Sequence, residues 1–188
     1  TEFLDAGYLK QARIGIPRHY YKHLDRDRLD IVESAIQVLR EQGAVIIDPV
    51  DLPCQNTKWD ANVLRYEFKK YVNDYLVNVD SSLPVHSLAD VIAYNEAHAD
   101  RAQKYGQGTL IWAEETSGTL TEQEYLESRQ KNREMAGTRG IDQVLQEFQL
   151  DALLFLGNEY GPDLAARAGY PSITVPGGYA ENGVIAPG

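Results

Sequence analysis

DALLFLGNEYGPDLAARAGYPSITVPGG, residues 151–178, is the stretch that decides the fold. The apolar run within 151–156 has the length of a short buried strand. A Gly/Ala-rich helix follows, and residues 172–176 read as a second strand. Strand, helix, strand with few charges is the pattern of an α/β interior, in which strands are covered by helices.

The same alternation stands near the start of the chain. Arg13 to Pro17 (RIGIP) suits a short strand that Pro17 ends. Asp25 is placed to cap a helix on which Leu29, Val32, Ile36 and Leu39 share one face. Gly43 stands where a left-handed residue closes a helix, and Ala44 to Ile47 (AVII) is a fully apolar strand. Strand, helix and strand joined by short turns form a βαβ unit, whose two strands run parallel with a right-handed crossover. The fold class expected is therefore α/β: a mixed sheet with strands near 13–17, 44–47, 151–156 and 172–176, layered with helices.

Between these ends the pattern is helical. A helix is expected from about Trp59 to Val79, another from Leu88 to about Ala102 capped by Ser87, and a long charged one from the Thr121-Glu122-Gln123-Glu124 capping box to about Gln149, interrupted near Gly137 to Gly140. The stretch from Gly106 to Gly118 has no clear period. The tyrosines of the first of these helices fit helix packing or the wall of an apolar channel.

Composition removes several classes of function. A net charge of -10 with no basic run longer than Lys69-Lys70 repels a phosphate backbone, which excludes nucleic acid as a partner. No apolar stretch reaches the roughly 20 residues of a membrane span. The single cysteine, Cys54, has no partner for a disulfide and fits a reducing, cytoplasmic location. His19 and His23 are four apart but lack a carboxylate in a metal-ligand frame, so no metal site is expected. The glycines match no phosphate-binding pattern, and no cofactor is expected. The adjacent acids Glu114 and Glu115 point in different directions and do not make a shared acid/base site.

Three stretches, FLDAGYLKQARIGIPR (3–18), GAVII (43–47) and ARAGYPSITVP (166–176), carry a resemblance to the amidase signature family, serine hydrolases that cleave carboxamides. The resemblance covers the order of elements nearly end to end and is most specific in the first 18 and last 38 positions. It implies an amidase signature fold and a parent that hydrolyses a C–N bond through a Ser, a second Ser beside a cis peptide bond, and a Lys. A neutral amine accepts the proton of the nucleophilic hydroxyl through the bridging Ser, and Gly-rich backbone N–H groups hold the oxyanion.

None of that machinery is carried over to this chain. Ser34, Ser81, Ser82, Ser87, Ser117, Ser128 and Ser172 stand outside any Gly/Ser-rich signature, so the catalytic assignment is none. The expectation is a non-catalytic fragment, residues 1–188 forming the central-to-late part of an amidase domain truncated at both ends. The signs are a start at Thr1 with Met135 as the only methionine and a stop just after a hairpin loop around Glu181-Asn182-Gly183. The substrate of the parent is then a small-molecule amide, and the surface left by the missing half supports self-association.

Substrate contact is expected from Asn158, Glu159 and Tyr160, just past the carboxyl end of the strand in 151–156, where α/β sheets present ligands, and from Thr174. An ordinary polar turn is the competing reading of residues 158–160. The family often has Pro-Thr before the Asn, where this chain has Leu156-Gly157. The alternative for the whole chain is a non-catalytic α/β module that binds a ligand or a partner.

Overall fold

The structure is a computed structural model, and it describes residues 5–157 and 160–179. The expected hairpin loop around Glu181-Asn182-Gly183 lies outside the described residues. Two compact units divide the chain: residues 1–58 with 131–188, and residues 59–130.

The first unit is built on strands β1 (Arg13–Gly15), β2 (Val45–Ile47) and β3 (Ala152–Leu153), in the order β2-β1-β3. Both pairings are parallel, with Ile14 opposite Ile46 on one side and Ala152 on the other. The amide of Ile16 donates to Ile47 O at 2.9 Å and that of Leu154 to Gly15 O at 3.0 Å, continuing both ladders past the strand ends. Helix α1 (Arg26–Glu41) joins β1 to β2, as a parallel pair requires. Its expected cap is in place: Asp25 Oδ1 accepts from the Arg28 amide at 2.9 Å. Val32 and Ile36 face inward, and Gly43, at φ +94°, turns the chain out of the helix into β2.

Close packing accounts for Gly15. A Cβ there would lie 2.6 Å from Leu150 Cδ1 and 2.9 Å from Leu153 Cδ2, so glycine lets both leucines close on the middle strand without shifting. Arg13 fastens the same strand. Its Nε and Nη2 donate to the carbonyls of Gln149 and Phe148 at 2.9 and 3.0 Å, and its amide donates to Asp151 Oδ2 at 2.8 Å. The carbonyls it satisfies close helix α7 (Asp142–Glu147), a cation at the negative end of a helix.

The α/β class is as expected, with differences in the strands. The three described strands are all parallel, and residues 171–179 form none. Ile173 and Val175 there are 91% and 62% exposed. Alternation of apolar and polar residues prepares a stretch for a sheet. Pairing also needs backbone bonds to a neighbouring strand, and residues 171–179 make none to the described strands.

The interruption expected near Gly137 to Gly140 is a π-helical stretch, Arg133–Ile141, between helices α6 (Gln123–Asn132) and α7. Gly140 is the tight point. A Cβ would sit 2.5 Å from the Met135 carbonyl oxygen and 3.1 Å from the Sγ of Cys54, itself buried. Burial raises the Cys54 thiol above its ordinary pKa, which keeps it protonated and inert. Helix α8 (Gly161–Ala168) packs on the π-helical stretch.

The second unit is helical: α2 (Asn62–Leu76), α3 (Leu88–Ala97), α4 (Ala99–Ala102), α5 (Gly108–Glu114) and the first turns of α6. Two cations one turn apart on α2 hold the carboxyl end of α5 and the residues after it. Arg65 Nε donates to Trp112 O at 2.8 Å with its guanidinium 4.9 Å above the Trp112 ring, and Lys69 Nζ donates to the carbonyls of Glu114 and Thr116, each at 2.7 Å. Glu114 and Glu115 pair separately with Lys69 and Arg65, each at 3.0 Å. Ser87 caps α3 as expected, accepting from the Asp90 amide at 3.1 Å.

The capping box at 121–124 does not form. Glu124 accepts from the Tyr66 hydroxyl, Thr121 Oγ1 pairs with Thr119 Oγ1 at 2.7 Å, and it is Glu122 that bonds the Ser117 and Thr121 amides at 3.1 and 3.0 Å. The tyrosines of α2 divide. Tyr66 is buried against Tyr125, while Tyr71 and Tyr75 are exposed. Among the described residues no helix is long and apolar enough to cross a membrane.

Candidate functional site

Strand order β2-β1-β3 means that the chain leaves β1 toward one side and later arrives on the other. That reversal makes the crevice at the carboxyl ends of β1 and β3 the switch point where open parallel sheets bind ligands. The segments that follow the two strands meet there. Behind β1 comes Ile16-Pro17 and the 3-10 turn Arg18–Tyr21, and behind β3 come Leu154, Phe155, Leu156 and Gly157. The Tyr21 hydroxyl donates to Leu154 O at 2.6 Å, and its pKa is raised by burial, so the bond keeps its proton at any ordinary pH.

Beside this bond four rings gather. Tyr20, 7% exposed, lies at the centre, with ring centroids 5.3 Å from His19, 5.4 Å from Phe155 and 5.6 Å from Tyr160. Burial, with Cys54 next to it, holds the Tyr20 hydroxyl protonated. Tyr160 is 51% exposed and caps α8, its carbonyl accepting from the Leu164 amide at 2.9 Å. Its φ is +63° and its ψ -27°, a left-handed backbone that costs a bulky residue on the order of 1 kcal/mol. The next residue has to be glycine, because a Cβ on Gly161 would lie 2.6 Å from Phe155 Cγ.

Of the residues expected to touch substrate, Asn158 and Glu159 lie outside the described residues. Tyr160 stands on the ring cluster. Thr174 stands elsewhere, in the unpaired segment that borders an apolar cleft of about 530 Å³ between α1 and β3, lined among others by Ile31, Leu39, Leu145, Leu154 and Ile173 but not by Tyr160. At the end of α8, Tyr170 gives its hydroxyl to Asp142, which pushes its pKa up to about 12.

Sequence reading weighed His19 only for its metal-like spacing to His23, and passed over Tyr20 and Phe155. The rule that picked out residues 158–160 at the end of β3 applies equally to the loop behind β1, and would have found Tyr20 had it been used there.

The hydroxyls of four serines serve local structure. Ser34 bonds Asp30 O within α1, Ser87 caps α3, Ser117 bonds Glu122, and buried Ser128 bonds Asp60. Among the described residues no group of three or more His, Cys, Asp or Glu side chains is arranged to hold a metal ion.

No family model matches the chain. It is 36% identical, over 97% of its length, to an Arabidopsis thaliana protein named as a probable amidase, of which it covers 35%. Among solved structures it is similar to an amidase family protein from Bacillus anthracis, at TM-score 0.79 and 34% identity over 98% of this chain and 35% of that one. It is also similar to the native peptide amidase from Stenotrophomonas maltophilia, at TM-score 0.74 and 34% identity over 94% of this chain and 38% of that one. Sequence and fold therefore agree that this chain is amidase-family polypeptide, spanning about a third of the length of the relatives it matches.

Proposed function

We propose that the whole protein to which this sequence corresponds hydrolyses carboxamides to an acid and ammonia or an amine. The route is an acyl-serine intermediate formed by a Ser, cis-Ser and Lys set, and this chain carries none of the three. A Lys kept neutral by burial takes the proton of the nucleophilic hydroxyl through the bridging Ser, and the same proton passes to the departing nitrogen when the C–N bond breaks. The chain contributes support to that centre and part of the substrate wall, through Asn158, Glu159, Tyr160 and Thr174. The observation that carries this reading is 34% identity at TM-score 0.79 over nearly the whole chain with an amidase family protein. A cytoplasmic location fits the single buried thiol.

The test is a graft. This chain is put in place of the matching third of the Stenotrophomonas maltophilia peptide amidase, and ammonia release from small aliphatic and peptide amides is measured for the graft and for the chain alone. The graft is expected to release ammonia and the chain alone to match buffer. Release by the chain alone would end the non-catalytic reading, and a folded but inactive graft would end the amidase one.

Alone, the chain is also proposed to self-associate through the surface that holds the exposed Ile173 and Val175. Sedimentation is expected to give a mass above that of the 21.1 kDa monomer, and the double variant Ile173→Asn, Val175→Thr is expected to return it to one chain. A wild-type monomer would refute this.

A further inference from the structure

What tyrosine adds at position 160 is its ring. The backbone bond from Leu164 to the Tyr160 carbonyl needs no side chain, and glycine at φ +63° would make it without strain. The hydroxyl is not needed for capping either, since α8 begins with no side-chain cap from this residue. The ring meanwhile stays half exposed, although it rests on a fixed base: buried Tyr20 at 5.6 Å and an interplanar angle of 44°, itself held between Phe155 and His19. A half-exposed aromatic ring seated on a buried one at the switch point of a parallel sheet has the position and the chemistry of a ligand platform.

From this geometry we infer that Tyr160, seated on Tyr20, is a stacking platform for the uncharged aromatic group of a carboxamide ligand. The amide part of that assignment rests on the proposed function, while the preference for a flat, apolar ring rests on the four-ring cluster alone. Tyr20, Phe155 and Tyr160 carry no charge, so beside Tyr160 the cluster offers ring faces rather than an ion-pair partner, and an uncharged ring suits it. The cluster offers stacking as its principal contact, so an aliphatic amide of similar size gains little from it.

The experiment is ligand-observed saturation-transfer NMR on the chain with benzamide and, separately, isobutyramide, for wild type and the variants Tyr160→Phe, Tyr160→Leu and Tyr160→Gly. Wild type is expected to saturate benzamide well above isobutyramide. Phe keeps that preference because the ring face is unchanged. Leu and Gly are expected to weaken benzamide binding roughly threefold to tenfold, the span of one aromatic pair. Tyr160→Gly is also expected to melt no lower than wild type, because the strained backbone is relieved, and Tyr160→Leu tests the ring should the glycine variant fold poorly. Equal signals for the two amides, loss of the preference in Tyr160→Phe, or its survival in Tyr160→Leu would each overturn the assignment. Aliphatic amide turnover by the graft reports on the amidase reading independently of this outcome.

Discussion

Replacing Gly140 with alanine is expected to destabilise the protein by about 3 kcal/mol, at the upper end of what a single added methyl costs in a packed site. The reason is the nature of the obstacle. A flexible side chain can move aside, but here the Cβ meets the carbonyl oxygen of Met135 at 2.5 Å, inside the π-helical stretch, with Cys54 closing the other side at 3.1 Å. Relief requires unwinding the segment on which α8 packs, so the loss spreads to Ala136 and Ile141, which are buried there. Thermal unfolding followed by circular dichroism should show a midpoint lower by roughly 6 to 12 °C. Gly108→Ala is the matched control. A Cβ there meets nothing within 4 Å at the start of α5, and the change should be neutral or raise stability by about 0.5 kcal/mol. If the two alanine variants melt together, the wide turn tolerates a side chain and the packing argument is wrong.

The second large effect is expected at Arg18, which ties together the segments behind β1 and β2 and helix α1. Its Nε and Nη2 hold Asp48 in a two-pronged pair at 2.7 and 2.6 Å, and Nη1 reaches Glu33. Arg18→Met keeps the stem but leaves Asp48, whose side chain is 18% exposed, with Arg40 at 3.7 Å as its remaining cation. A loss of about 2 kcal/mol is expected at pH 7.

The pH dependence follows from the carboxylate. Arg18 holds the Asp48 carboxyl below its ordinary pKa, chiefly by hydrogen bonding. A group depressed in the folded state stabilises the fold above its unfolded pKa of about 4, and that gain fades as pH falls through the lowered value. The gap between wild type and Arg18→Met in urea unfolding should therefore be widest at neutral pH and shrink as pH falls below the unfolded value of about 4. A gap of the same size at pH 7 and pH 2.5 would show that the ion pair is not its source.

Local chemistry was the legible part of the fold. Asp25, Gly43 and Ser87 each do what their identity predicts, because a cap or a left-handed turn is satisfied within four residues. Where a distant group competes, reading fails. Thr121 and Glu124 have the spacing of a capping box, yet the Tyr66 hydroxyl, 58 residues earlier, takes the carboxylate. The stretch 172–176 has a strand's alternation but pairs with no strand among the described residues. Gly140 announced an interruption, whereas the width of the turn comes from Met135 and Cys54.

The candidate site divides in the same way. Tyr160 was readable as the residue just beyond an apolar strand. Its companions Tyr20 and Phe155 become neighbours only when β1 and β3 pair, and no sequence period reports that. The division into two units was hidden for a related reason, since residues 59–130 carry helical patterns but no motif that marks where one core stops.

Parallel pairing of β1 with partners so unequally distant has a consequence for synthesis. β2 emerges from the ribosome soon after β1, with α1 between them, and that pair can dock early. The other edge of β1 must wait for Asp151 and β3, 138 residues downstream of Arg13. At about 5 to 20 residues per second, residues 59–130 alone take roughly 4 to 14 seconds to make. For that interval the nascent chain carries the apolar edge of Ile14 and Ile16 uncovered, while the continuous second unit is free to fold. Binding by a holdase or premature aggregation should thus be concentrated in chains arrested before Leu153 and relieved once that residue has cleared the exit tunnel.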